Sequence, residues 1–125
     1  MRNILMVGAG GFLGAVMRYA ASAAIQRFSP AAFFPLGTLG VNVAGCLAIG
    51  YLGGWSDHAR VFSTGARLFL FLGVLGGFTT FSTFGHETVS LMRDGQVVSS
   101  FLNVTLHVGV GLFAVWLGYG LSNLA

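Results

Sequence analysis

The run from Leu68 to Met92, LFLFLGVLGGFTTFSTFGHETVSLM, decides how this chain folds. A membrane span takes about 20 mostly apolar residues, and this run meets that requirement. Its middle is built for something more. Gly76-Gly77-Phe78-Thr79-Thr80-Phe81-Ser82-Thr83-Phe84 opens with two glycines and holds four hydroxyl residues and three phenylalanines. Paired glycines invite a break in the helix, expected near Gly76–Thr80, and carbonyls freed inside a membrane must find partners. The hydroxyls of Thr79, Thr80, Ser82 and Thr83 can satisfy some freed backbone groups or line a path for a polar guest. Phe78, Phe81 and Phe84 recur every three residues, so the sequence predicts them along one side of the helix. Such a stripe ordinarily faces lipid or core. A phenyl ring also has a positive edge, and edges turned toward a small anion would hold it without the full charge that traps it.

The rest of the chain agrees with a membrane setting. Of 125 residues, 55% are hydrophobic and only 7% charged, with a mean hydropathy of +0.84. A soluble domain of this length needs far more polar surface, so the expected class is an all-α integral membrane protein, one domain over residues 1–125. Twenty glycines suit closely packed membrane helices, where small residues let backbones approach. The net charge of +3 comes from scattered arginines and forms no basic patch, so no nucleic-acid partner is expected. Cys46 stands alone in an apolar run and reads as a small packing residue.

Four spans are predicted, over about residues 4–25, 36–55, 68–92 and 97–121. Ser29-Pro30 and Pro35 separate the first two. Ser56-Asp57-His58-Ala59-Arg60 follows the second and is expected to continue as a short helix to Thr64, and Arg93-Asp94-Gly95 is a tight turn before the fourth. The first run resembles a signal peptide only superficially, because Gly8, Gly10, Gly11, Gly14 and Arg18 interrupt it; the expectation is a retained span. Its glycines also echo a dinucleotide-binding turn, but no acid follows about 20 residues on, so a packing face through Gly10 and Gly14 is expected. With four spans, Arg2, Arg60 and Arg67 fall on one side, and Arg27 and Arg93 on the other, with Arg18 joining them if it reaches an interface. That is almost no positive-inside bias. Such a chain can insert both ways up, and two opposed copies can pair about an axis in the membrane plane.

A few polar residues remain to be placed. Arg18 lies inside the end of the first span; it either snorkels to headgroups or charges an aqueous vestibule. Thr38 and Asn42, four apart, share a helical face; Asn42 either bonds another helix or donates to a guest. Glu87 is expected where the membrane gives way to the interface, shaping an exit or solvated. His107 is expected to be structural, with a pH-sensitive pore group as the other reading, and a glycine face is expected at Gly109 and Gly111.

Together, Gly37-Thr38, Val41-Asn42, Gly45 and the long GGFTTFSTF motif make the chain resemble the Fluc (CrcB) fluoride channels, over nearly its whole length. The resemblance implies a dual-topology antiparallel homodimer with two pores in a bacterial inner membrane, surrounded by lipid. It implies passive export of fluoride, which enters cells as the neutral acid and ionises inside. Phe81 and Phe84 would present ring edges to fluoride, Asn42 would donate to it with Thr38 nearby, and Ser82 and Thr83 would form a polar track. Arg18 would line the vestibule and Glu87 the exit. Main-chain carbonyls of Gly76 and Thr79 from both copies would hold a structural sodium ion. One departure is visible: where the family offers small hydroxyl residues on the fourth span, this chain has His107 and Gly111. The competing readings are a proton-coupled multidrug exporter, which should carry a glutamate in the first span, and a non-transporting packing subunit. No enzymatic activity is expected.

Overall fold

The computed structural model describes residues 1–29, 34–59 and 62–124. Pro30 and Arg60, named above at the two loops, lie outside the described residues. All regular elements among the described residues are helices: α1 (Arg2–Gln26), α2 (Leu36–Ala59), α3 (Thr64–Arg67), a π-helical segment (Leu68–Leu75), α4 (Gly76–Phe78), α5 (Phe81–Arg93) and α6 (Val97–Ser122). Thr64 to Arg93 together form one interrupted span. The four segments long and apolar enough to cross a membrane are Arg2–Gln26, Leu36–Asp57, Thr64–Arg93 and Val97–Ser122. At 1.5 Å per residue, 22 residues already make about 33 Å, enough for the hydrocarbon core.

Backbone contact at glycines organises the packing. A side-chain carbon on Gly10 would strike the carbonyl of Phe69, and one on Gly73 would lie 2.8 Å from the Cα of Gly10. Gly14 sits against Val74 and Phe78 in the same way, and Gly77 against Gly11. The expected Gly10–Gly14 face is therefore real, and it seats α1 on the π segment and α4. A second seam joins α2 to α6, where Gly50 meets the Val115 backbone and Gly118 meets Leu47 and Tyr51. In the bilayer such close approach supplies the dispersion contacts that water cannot drive. The expected Gly109–Gly111 face is corrected: Gly111 is buried beside Cys46, whereas Gly109 faces open space. The seam runs instead through Gly111, Ala114 and Gly118, all buried at helical spacing.

The joints follow from local chemistry. Gln26, at the end of α1, reaches across the first loop: its Oε1 accepts from the N–H of Gly37 at 2.9 Å and its Nε2 donates to the Phe34 carbonyl at 3.0 Å. One side chain thus satisfies an orphan donor at the start of α2. α2 continues to Ala59, past the expected end at residue 55, and a separate helix starts at Thr64, where Ser63 caps it through the N–H of Ala66. After α5, the N–H of Gln96 bonds the Leu91 carbonyl and the N–H of Gly95 bonds that of Met92, with Gly95 at φ 76°. This is a Schellman stop, and glycine supplies its left-handed residue without a Cβ clash.

The break in the third span falls inside the expected window but not on the glycines. Gly76 and Gly77 are helical in α4, and Thr79 (φ −92°, ψ 157°) and Thr80 (φ −150°, ψ 110°) are extended. Gly77 serves close packing against α1, where it meets Gly11; the threonines make the turn because their own side chains replace lost helical bonds. The predicted Phe78–Phe81–Phe84 stripe is also corrected. Phe78 precedes the two extended residues and packs beside Gly45, so only Phe81 and Phe84 share a helix.

Candidate functional site at the break in the third span

Two extended residues inside a membrane span leave N–H and C=O groups without helical partners. Thr79 N–H and its hydroxyl both donate to the Leu75 carbonyl, each at 3.0 Å. Thr80 is held by Asn42 from α2: the Thr80 N–H donates to Asn42 Oδ1 at 2.8 Å, and Asn42 Nδ2 donates to the Thr80 carbonyl at 3.1 Å. The Asn42 amide therefore completes both hydrogen bonds of one peptide residue, as a neighbouring strand would. Thr80 also caps α5, accepting from the N–H of Thr83 at 3.3 Å and donating to Thr83 Oγ1 at 2.9 Å. Capping by threonine satisfies one of the orphan donors of the new helix.

One turn of α2 earlier, Thr38 donates to Glu87 Oε1 at 2.6 Å. Glu87 is half-buried, and its second carboxyl oxygen is buried without a hydrogen-bond partner. It is thus a partly packed residue tied to α2. Thr38 and Asn42 do share a face, as the spacing predicts, and that face is turned to α5.

Two cavities meet at the break. The first, about 630 Å³, is lined by Arg18, Tyr19, Gln26, Thr38, Thr83 and Glu87, among others. Arg18 Nε is buried there without a hydrogen-bond partner. Arg18 therefore lines a polar cavity beside α2 and α5. The second cavity, about 370 Å³, is more apolar, with Asn42, Cys46, Phe81, Phe84 and His107 in its wall; Gly76 and Thr79 line it as well. Thr80 lines both cavities.

The two phenyl rings lie 5.4 Å apart and are inclined at 54°. Phe84 is 8% exposed and Phe81 83% exposed, so the chain alone covers one ring and leaves its neighbour bare. Phe84 rests on the His107 ring, with centroids 4.4 Å apart and planes at 38°. His107 Nδ1 is 2.9 Å from the Asn103 carbonyl; a carbonyl only accepts, so Nδ1 donates. The Asn103 side chain, fully buried, donates to Thr88 Oγ1 at 2.9 Å, and Thr88 donates to the Phe84 carbonyl at 2.7 Å. Ser100 adds a bond to the Thr88 carbonyl at 2.9 Å. Phe84 is thereby fixed from both its backbone and its ring.

Most of the residues singled out in the sequence thus gather around one point. Phe81, Phe84 and Asn42 line the second cavity; Arg18, Thr38, Thr83 and Glu87 line the first. Ser82 lines neither; it is exposed, with its hydroxyl 3.4 Å from that of Thr80. Sequence reasoning did not single out Thr80 as the cap of α5 and the point where the cavities meet, although a threonine just ahead of a helix is an N-cap signal. It also missed Gln26 and the Thr88–Asn103 pair, which no local pattern announces.

Comparison with known proteins gives the family. The family described as CrcB-like protein, Camphor Resistance (CrcB), matches residues 5–119. A protein of Rhizobium meliloti named fluoride-specific ion channel FluC is 44% identical over 124 residues, 98% of either chain. One of the same name from Methylobacillus flagellatus is 40% identical over 124 residues, 99% of this chain and 97% of its own. Another, from Elusimicrobium minutum, is 44% identical over 126 residues, covering 99% of this chain and 96% of its own. With four apolar spans, a third span interrupted at paired threonines and a match along almost its whole length, this chain belongs to the CrcB family.

Proposed function

We propose that this chain is a fluoride-selective channel, a multi-pass protein of a bacterial membrane that lets fluoride leave the cell passively. The observation that carries this reading is the pair of cavities joined at Thr80, one charged by Arg18 and one walled by phenyl rings. A small anion must shed water to pass a narrow route, and neutral donors and ring edges replace that water without holding the ion too tightly. Arg18 gathers anions in the first cavity. Thr38, Ser82, Thr83 and the Asn42 amide are the neutral polar groups near the crossing, and Phe81 and Phe84 take the ion on its far side. Glu87 borders the first cavity and shapes that mouth. The relatives named fluoride-specific channels support the choice of ion. The exporter reading gains nothing: α1 contains no acidic residue, and the relatives carry a channel name.

The bare face of Phe81 and the near-balanced arginines favour an antiparallel homodimer in the bilayer, in which a second copy covers the ring and two pores result. Gly76 and Thr79 fit a role at its centre. The helical partner of the Gly76 carbonyl would be the N–H of Thr80, which is committed to Asn42. A main-chain carbonyl released in this way is a hard oxygen donor, the chemistry that suits a sodium ion. Gly76 is exposed on the single chain and Thr79 lies three residues on, so carbonyls of two inverted copies would supply such a site.

Purified protein in liposomes loaded with potassium fluoride tests the function. Addition of valinomycin should release fluoride rapidly, as read by a fluoride electrode, with no accompanying proton movement. Release that requires an opposing proton gradient would refute a passive channel.

A further inference from the structure

Among the described residues, Thr80 alone lines both cavities, and its hydroxyl is fully committed. The oxygen accepts from the N–H of Thr83 at 3.3 Å and lies 3.4 Å from the hydroxyl of Ser82. Its proton goes to Thr83 Oγ1 at 2.9 Å. A hydroxyl has one proton to give and two lone pairs to receive. Once Thr83 Oγ1 receives the Thr80 proton, its own proton must point elsewhere. Thr83 lines the first cavity, with Arg18 and Thr38 also in its wall. The Thr38 proton is spent on Glu87. Of the three threonine hydroxyls in that wall, only that of Thr83 has a proton left for a guest.

From this geometry we infer that Thr80 is a positioning residue for anion recognition: it orients the Thr83 hydroxyl so that its proton faces the first cavity as a donor. The inference deepens the channel reading and rests on it. Without the Thr80 proton, the Thr83 hydroxyl is free to turn its hydrogen toward position 80 and present lone pairs to the ion. An anion then meets an acceptor where it needs a donor. The same threonine anchors the extended peptide through Asn42, so the donor is set at the point where the two cavities join.

A double-mutant cycle on fluoride efflux from liposomes tests this, with size-exclusion elution as a check on assembly. Thr80→Val should lower efflux about tenfold, the loss expected for one misdirected donor. Thr80→Ser, which keeps the hydroxyl, should restore efflux to within about twofold. Thr83→Val should lower efflux by a similar factor, and Thr80→Val should add nothing to it, because residues acting through one group are not additive. If Thr80→Val does not assemble, Thr80→Cys takes its place in the cycle, with the same loss expected from its weak donor. Losses that multiply in the double variant, or a Thr80→Ser variant as slow as Thr80→Val, would overturn the inference while leaving the channel intact. Normal efflux in Thr83→Val would instead remove Thr83 from the path.

Discussion

Replacing Asn42 with leucine isolates what its amide does for the break. The wild-type side chain meets both polar groups of Thr80, at 2.8 and 3.1 Å. Leucine keeps the branched outline, is somewhat bulkier and has no polar atom, so both Thr80 groups would be left without partners. An unsatisfied buried group costs about 1–3 kcal/mol, so two cost about 2–6 kcal/mol. Thr80 is only half-buried and touches both cavities, and water there would recover part of the loss. The better helix propensity of leucine recovers a few tenths more. The expected destabilisation is therefore about 2–4 kcal/mol, in the lower half of that range. Unfolding of the purified protein by sodium dodecyl sulfate in mild detergent micelles, followed by circular dichroism, reads this directly. A change below about 0.5 kcal/mol would refute the claim that Asn42 holds the break, since even one orphaned group exceeds that.

Other perturbations separate packing from permeation. Gly14→Ala should prevent stable folding or cost more than about 2 kcal/mol, because its Cβ would collide with the Val74 carbonyl and lie 2.8 Å from the Phe78 nitrogen. Gly8→Ala, with nothing within 4 Å, should be neutral or gain up to about 1 kcal/mol by helix propensity; the same detergent unfolding assay compares the two. Phe81→Ile should reduce fluoride efflux at least tenfold while leaving monomer stability within about 0.5 kcal/mol, since the ring is exposed on the chain. Replacing sodium with N-methylglucamine should shift the protein toward monomer on size exclusion; an unchanged elution profile would count against carbonyls of Gly76 and Thr79 as ligands.

The architecture was legible because a bilayer demands it. Apolar runs near 20 residues are readable one by one, and Gly10 and Gly14, four apart, fall on one helical face whatever they pack against. The break was legible only as a window. Glycines are the obvious breakers, yet Gly76 and Gly77 remain helical, and at Gly77 the missing side chain serves contact with Gly11 of α1. The extended residues are threonines whose bonds run partly to Leu75 and partly to Asn42, which is 38 residues away from Thr80. No local window contains that partnership. The Phe78–Phe84 spacing misled for the same reason, since helical periodicity holds only within an unbroken helix. Glu87 looked interfacial from its position, and its bond to Thr38 became visible only when α2 and α5 were set side by side. The support of Phe84 by His107, Thr88 and Asn103 is likewise a tertiary matter, written on two helices at once.

The central claim is that the route beside Thr80, between the Arg18 cavity and the phenyl rings, passes fluoride and rejects chloride. A planar bilayer holding the purified protein, with fluoride on one side and chloride on the other, measures this in one current–voltage curve. The reversal potential should follow the fluoride gradient and stay fixed as the chloride concentration is changed. A reversal potential that moves with chloride would contradict it.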